Sequence, residues 1–150
     1  MKALIQRVRR CSVTVGGVEH SSIGQGMLIL LGVKQDDKEE DSSYLAERCA
    51  ALRIFEDPQG KMNLSVRDVA GAAMIVSQFT LYGDTTRGNR PSYSTAAPPE
   101  LAEGLYESFV GHLRSLLGNE RVATGVFRAM MDVELVNDGP VTVMVESKST

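Results

Sequence analysis

A group of polar side chains follows a short apolar segment in the middle of the chain. Residues 72–76 are continuously apolar and lead directly into a polar and aromatic group, Ser77, Gln78, Phe79 and Thr80. Hydroxyl groups, an amide and an aromatic ring at the end of a rigid strand are suited to holding a substrate. The same residue types also cap turns, and their spacing alone favours that structural interpretation.

A second segment combines glycine and proline between two alternating stretches near the end of the chain. Asn137, Asp138, Gly139 and Pro140 have the composition of a turn, and proline after glycine also suits the cis position of a type VI turn. Because only about 5–6% of X-Pro bonds in folded proteins are cis, the residues alone favour an ordinary hairpin turn with a trans bond.

Several common catalytic arrangements lack support in this sequence. The two histidines, His20 in a turn-rich segment and His112 near a predicted apolar helix face, do not suggest a Ser–His–Asp triad. No pair of His or Cys has zinc-ligand spacing, so we expect no metal. Residues 24–26 begin like a dinucleotide fingerprint, but Ile29 replaces its last glycine, and we expect no cofactor. An enzyme of this sequence would lack the usual side-chain general base.

The elements that must position these segments are predicted from hydrophobic periodicity and end signals. Acidic residues at 36–41 and apolar residues at helical spacing predict a helix over about Glu39–Leu52. A second helix opens at Pro98–Pro99 and ends near Gly118. A long polar loop covers 83–97. Alternating or continuous apolar residues predict strands at 12–15, 27–33, 72–76, 131–135 and 141–145. The continuous runs in 27–33 and 72–76 predict strands buried on both faces.

The order of these elements is β-β-α-β-α-β-β, with possible extra strands near Phe127 and a hairpin at Gly16-Gly17. We therefore predict a single α/β domain over residues 1–150. Its sheets would be mixed or antiparallel, in a barrel-like, layered α/β/β arrangement with two main helices packed on them.

Composition limits the partners of the chain. Its 150 residues carry a formal net charge of −3, which argues against a broad basic surface for DNA or other long nucleic acid. The longest apolar run, 27–31, is too short to span a membrane. Without a secretory signal or a disulfide framework, the expected location is the cytoplasm.

Two segments resemble the signature motifs of the D-aminoacyl-tRNA deacylases: residues 77–84 with 88–91, and residues 137–142. Three shorter segments resemble parts of the same family in the same order, at 6–8, 60–65 and 124–127. The match covers nearly the whole chain. It implies hydrolysis of the ester joining a D-amino acid, or glycine mischarged on tRNA(Ala), to the terminal adenosine of tRNA.

The resemblance also implies roles for individual residues. The catalytic residues lining the ester would be Ser77, Gln78, Phe79 and Thr80. Phe127 would contact the terminal adenine. The next residue, Arg128, departs from the family, which commonly has glycine there.

The same resemblance implies a homodimer with each active site at the subunit interface. The Gly139–Pro140 bond would be cis, and its carbonyls would project into the partner's site and reject L-aminoacyl substrates. Arg7 would hold this motif in position. Backbone N–H groups near Phe79 and Thr80 would stabilise the oxyanion. The rival mechanism makes Thr80 a covalent nucleophile, and the rival function is a non-catalytic nucleic-acid-binding protein that uses the same pocket.

Overall fold

A computed structural model describes residues 1–148 of the chain. Eight strands and two α-helices follow one another, with short 3₁₀ helices at Phe79–Tyr82 and Asn119–Arg121. In chain order the elements are β1 (Lys2–Val15), β2 (Val18–Ile23), β3 (Gly26–Gly32), α1 (Glu39–Ala51), β4 (Phe55–Glu56), β5 (Met62–Leu64), β6 (Ala72–Ser77), α2 (Pro99–Leu117), β7 (Val122–Thr124) and β8 (Asp132–Glu146).

Six of the strands form one mixed sheet, in the order β2-β1-β3-β6-β7, with β8 paired to β1. Strand β1 is antiparallel to β2, β3 and β8, whereas β3, β6 and β7 run parallel to one another. The hydroxyl of Ser21 in β2 donates to the carbonyl oxygen of Thr124 in β7 at 2.7 Å. The two ends of the strand order therefore meet, and the sheet is a nearly closed barrel. The predicted fold class is confirmed.

Both faces of the central strands are buried, as the continuous apolar runs predicted. Along β6, Ile75 belongs to the core between the sheet and the helices. Its neighbours Met74 and Val76 belong to a second core on the other face, inside the curled sheet. Strand β6 is thus held from both sides, so its carboxyl end is a rigid support for the residues that follow it.

The two helices lie where the sequence predicted them and pack on each other. At the start of α1 the backbone N–H of Lys38 donates to Oδ2 of Asp41 at 2.8 Å, which satisfies one polar group at the helix end. Pro99 occupies the first position of α2, and Gly118 ends it with φ 102°. No helix among residues 1–148 is long and apolar enough to cross a membrane.

The prediction of two strands separated by a hairpin turn at 137–140 is wrong. Strand β8 is one element of 15 residues and pairs with β1 along almost its whole length. The pairing passes from Gln6–Thr142 to Val8–Asn137, so residues 138–141 stand opposite Arg7 alone. The turn-forming residues bend the chain only locally, and the result is a bulge in a continuous strand.

Two smaller differences concern His20 and a pair of short strands that the sequence did not predict. His20, assigned to a turn-rich segment, lies exposed in strand β2. The turn at 57–60 connects β4 and β5, which form a separate two-stranded sheet. These strands are two and three residues long, too short for alternation to be detected.

Candidate active site

A cleft of about 670 Å³ opens at the carboxyl end of β6. Ser77, Gln78 and Phe79 line one side of it, and Phe127, which is 48 residues further along the chain, lines another. The remaining lining is mostly apolar and comes from the loop 83–97, the first turns of α2 and the segment after Phe127. An apolar cleft with a few convergent polar groups is the usual form of a small-molecule site.

The polar edge of the cleft continues directly from the sheet. The backbone N–H of Gln78 donates to the carbonyl of Leu31 at 2.8 Å, which extends the pairing of β6 with β3 by one residue. The chain then turns into the 3₁₀ helix that starts at Phe79. Thr80 is exposed, and its hydroxyl accepts a hydrogen bond from the Gln78 amide nitrogen at 2.5 Å.

An aromatic pair forms one wall of the cleft. Phe79 is 56% exposed and meets Tyr93 edge to face, with ring centroids 5.1 Å apart. Tyr93 lies in the loop 83–97, which is closed by two backbone hydrogen bonds between Asp84 and Ser92, at 2.7 and 2.9 Å. Sequence reasoning did not single out Tyr93; its only signal was an aromatic residue in a long polar loop.

Phe127 is supported from below by a buried tyrosine. The Tyr106 and Phe127 rings lie 5.8 Å apart, and the Tyr106 hydroxyl donates to the carbonyl of Ile75 at 3.0 Å. Burial raises the pKa of Tyr106 to about 12, so the hydroxyl remains a donor at neutral pH. The backbone N–H of Gly125 donates to the same carbonyl at 3.0 Å. These two hydrogen bonds to Ile75 of β6 therefore fix the position of Phe127 in the cleft.

Arg128 follows Phe127 with an unusual backbone conformation. Its φ is 68°, in the left-handed region that glycine adopts without penalty. A residue with a Cβ at this position is therefore held in a disfavoured backbone conformation. Arg128 is also the one charged residue in the lining of the cleft among the residues that the structure describes.

Arg7 lies outside the cleft lining and is only 5% exposed. Its Nε donates to the backbone carbonyl of Asp138 at 2.9 Å, and Nη1 donates to the carbonyl of Ile54 at 2.7 Å. The carboxylates of Asp138 and Glu56 lie 3.4 and 4.0 Å from the guanidinium. Arg7 thereby joins the bulge of β8 to the start of the small β4–β5 sheet.

The bulge itself presents Gly139 and Pro140 to the surface, where both are exposed. The bond between them is cis, so the trans turn favoured by the residues alone is wrong. The Asn137 side-chain nitrogen donates to the carbonyls of Arg7 and Val141, at 3.0 and 3.2 Å, and spans the bulge. Nothing in the turn composition predicted this clamp.

The structure brings together some of the predicted site residues and separates others. Within one chain the cleft gathers four of the eight, and Thr80 does not line it but bonds to the side chain of Gln78, which does. Arg7, Gly139 and Pro140 form a separate group at the β8 bulge. A more open depression of about 750 Å³, lined by charged residues near the end of α1, contains none of the eight. Residues 1–148 contain no cluster of three or more metal-ligating side chains.

Comparison with known proteins connects this arrangement to one family. The family model described as D-Tyr-tRNA(Tyr) deacylase matches residues 4–146. The D-aminoacyl-tRNA deacylase of Anaeromyxobacter dehalogenans (strain 2CP-C) is 56% identical over 148 residues, which cover 99% of this chain and 98% of that protein. The D-aminoacyl-tRNA deacylase of Koribacter versatilis (strain Ellin345) is 58% identical over 148 residues, with the same coverage of 99% and 98%.

Two solved structures share the fold. One, described as a c-Myc DNA Unwinding Element Binding Protein, has a TM-score of 0.95 at 43% identity and covers 99% of this chain and 100% of its own. The other, a probable eukaryotic D-amino acid tRNA deacylase, has a TM-score of 0.84 at 17% identity, with coverage of 97% and 98%. On the near full-length family match and the high identity to its curated relatives, this chain belongs to the D-Tyr-tRNA(Tyr) deacylase family.

Proposed function

We propose that the cleft at the end of β6 is where this chain performs the reaction of its family in the cytoplasm. That reaction is the hydrolysis of the ester bond of D-aminoacyl-tRNA, which releases tRNA and the D-amino acid. The observation that carries the site assignment is the convergence of Ser77, Gln78 and Phe79 with Phe127 around one apolar cleft. We expect glycine mischarged on tRNA(Ala) to be accepted as well.

In this proposal the 3′ end of tRNA enters with its terminal adenine against Phe127. The partly buried Phe127 ring packs against Tyr106 and lines the cleft, and its cleft side would stack on the base. The ester then lies beside the polar edge of the cleft, near Ser77 and Gln78.

The chemistry in the proposal depends on the backbone more than on a side-chain base. Neither histidine lines the cleft: His20 lies in β2, and His112 on α2 is bonded to Glu39 at 2.9 Å. An aminoacyl ester is already activated, so a strong nucleophile is not required. The amides of Phe79 and Thr80 would stabilise the oxyanion, at about 3–4 kcal/mol for each donor. The neighbouring ribose hydroxyl of the tRNA would help to activate water.

Chiral selection in the proposal comes from a second copy of the chain. Gly139 and Pro140 are exposed and lie outside the cleft of their own chain, which supports their use in a partner's site. Their carbonyls would bind the α-amino group and block any side chain on the L side. The apolar residues exposed at the cleft, Phe79 at 56% and Met130 at 90%, are further support for a covering subunit.

The alternative is a non-catalytic nucleic-acid-binding protein that uses the same cleft. The name of one similar structure gives it a DNA element as its ligand. The net charge of the chain is −3, and one charged residue lines the cleft among the described residues. Neither feature supports an extended nucleic-acid-binding surface.

Three substrates separate these functions. D-Tyr-tRNA, L-Tyr-tRNA and a simple aryl ester are offered to the purified protein, and free tyrosine or phenol is measured. The proposal requires rapid cleavage of the first and none of the other two. Binding of tRNA without release of D-tyrosine would support the binding protein, and cleavage of the aryl ester would indicate a general esterase.

A further inference from the structure

We propose that Arg128 binds a phosphodiester group of the tRNA 3′ end and so holds the acceptor strand at the mouth of the cleft. This inference rests on the proposed function, because it assigns to Arg128 the phosphate that precedes the terminal adenosine. It concerns a residue next to Phe127 that has a left-handed backbone conformation.

The first argument is the charge distribution of the cleft. Among the described residues that line it, Arg128 alone carries a charge, while the others are apolar or neutral. A tRNA end is polyanionic, and at least one phosphate must approach the mouth when the terminal adenosine is inside. Arg128 is exposed, so its attraction for that phosphate acts through water and weakens as salt is added.

The second argument is that the guanidinium of Arg128 has no internal use. Within residues 1–148 it makes no ion pair or hydrogen bond, and it is exposed. By contrast, the arginines of β1 are engaged: Arg7 and Arg9 bind the Asp138 carboxylate, at 3.4 and 3.3 Å, and Arg10 binds Glu134 at 3.4 Å. Arg128 therefore retains all its donors for a ligand.

The third argument is the backbone conformation at this position. With φ 68°, Arg128 adopts a conformation that disfavours any residue with a Cβ and that glycine adopts freely. A non-glycine residue held there points to a functional use of the side chain. Arg128 directly follows Phe127, so the proposed phosphate contact lies beside the proposed adenine contact, as the phosphate that precedes the terminal adenosine requires.

The chemistry of the guanidinium selects the ligand class. Its planar set of N–H donors matches two oxygens of a phosphodiester. We expect replacement of Arg128 by alanine to lower kcat/KM for D-Tyr-tRNA about tenfold, the size expected for one charge-assisted hydrogen-bonded contact. The dependence of log(kcat/KM) on log[salt] should become shallower by about 0.7, the value of one phosphate contact on a single strand.

The experiment compares a substrate that carries the whole tRNA with one that ends at the terminal adenosine and has no phosphate. D-Tyr-tRNA and 3′-O-D-tyrosyl-adenosine are hydrolysed by the wild type, Arg128→Ala, Arg128→Gly and Arg128→Lys. Arg121→Ala is the matched control, because it removes the same charge at a different place. Arg121 lies immediately before β7, whereas Phe127 follows β7. Arg128→Gly removes the charge and also allows the left-handed backbone conformation without strain. A loss of activity in this variant therefore comes from the missing side chain and not from lower stability.

The expected result is a loss on D-Tyr-tRNA alone. Arg128→Ala and Arg128→Gly should both fall about tenfold with tRNA and stay within about twofold with the adenosine ester, and Arg128→Lys should recover most of the salt dependence. Equal losses on both substrates would mean that Arg128 shapes the adenine pocket, and no loss on tRNA would mean that it binds nothing; either overturns the inference. Hydrolysis of the adenosine ester by the wild type tests the proposed function separately.

Discussion

The Nε of Arg7 donates a hydrogen bond of 2.9 Å to the backbone carbonyl of Asp138, across 131 positions of sequence. Arg7 is the single β1 residue that faces the four-residue bulge 138–141 of β8. The contact joins a buried cation to the carbonyl that immediately precedes Gly139. Through this contact, Arg7 in the barrel holds the exposed Gly139–Pro140 segment in position.

Replacing Arg7 by lysine should weaken this control. A lysine ammonium cannot reproduce the two directed bonds that Arg7 makes, to the carbonyls of Asp138 and Ile54. We expect Arg7→Lys to lose about 1.5–3 kcal/mol of unfolding free energy, together with part of the deacylation of D-Tyr-tRNA. Denaturant unfolding and kcat/KM are the measurements. Arg10→Lys, at an exposed β1 arginine, is the control, and equal behaviour of the two variants would contradict the prediction.

Gly139→Ala should have a larger effect on activity than Arg7→Ala. A Cβ at Gly139 would lie 2.6 Å from the Asn137 side-chain oxygen and 2.9 Å from the Val141 nitrogen. Because that oxygen belongs to the side chain that clamps the bulge, the segment must shift. A displacement of about 1 Å at an active site typically lowers the rate about 100-fold. Deacylation of D-Tyr-tRNA and rejection of L-Tyr-tRNA are measured together.

Gly111→Ala is the control for this substitution, since a Cβ there meets nothing within 4 Å. It lies in α2, so alanine should preserve or slightly raise stability. Circular dichroism confirms that each variant is folded. Wild-type rates and wild-type chirality in Gly139→Ala would remove the segment from chiral selection.

Thr80→Ala should retain substantial deacylation. The Thr80 hydroxyl is exposed and accepts a bond from the Gln78 amide, which is a donor there and not a base. Without a base the hydroxyl is a poor nucleophile. We expect a loss of less than about tenfold in single-turnover rate, the cost of one hydrogen bond. A trapped acyl-enzyme on Thr80, or a loss of several orders of magnitude, would instead support the covalent mechanism.

Tyr106→Phe should lower stability at neutral pH but not at high pH. The variant loses the bond to the Ile75 carbonyl, worth about 1 kcal/mol, while Gly125 still donates to that carbonyl at 3.0 Å. Burial raises the pKa of Tyr106 from 10.0 to about 12. Between pH 10.0 and about 12, the folded state therefore keeps a proton on Tyr106 that the unfolded state releases.

The sign of the pH effect follows from this difference. The contribution of Tyr106 is complete below pH 10.0 and is lost as the pH rises toward about 12. We expect the stability advantage of the wild type over Tyr106→Phe to shrink in this window, by up to about 1.4 kcal/mol for each pH unit. Urea unfolding at pH 7 and above pH 10 measures it; a constant difference between the two proteins would contradict the prediction.

Mixing two inactive variants should restore activity if each site borrows Gly139 from a partner. A Gly139→Ala chain keeps its own cleft, and a Phe127→Ala chain keeps its own Gly139. Refolded together in equal amounts, half of the dimers are mixed, and each of these has one complete site. About a quarter of the wild-type activity should return. Sedimentation should show a dimer at micromolar concentration, and an active monomer or no recovery on mixing would rule out the shared site.

The sequence by itself determined the elements whose signals are local. The acidic start of α1 and the Pro99 and Gly118 ends of α2 are visible without any partner, because helix ends are satisfied by nearby residues. The apolar runs of β3 and β6 likewise predicted strands buried on both faces. Ser77 and Gln78 were correctly expected at a strand end, since the run that precedes them stops there.

Only the tertiary structure decided how residues 137–140 are used. Their composition is that of a turn, yet the ladder with β1 continues past them, so the chain bulges where it was expected to reverse. The position of Phe127 was also decided by the tertiary structure. Tyr106 and Gly125 both bond to the Ile75 carbonyl and so hold Phe127 at the cleft. These outcomes depend on hydrogen bonds between residues that are far apart in sequence. No local pattern encodes such partners, because the energy of each bond depends on which strand lies opposite.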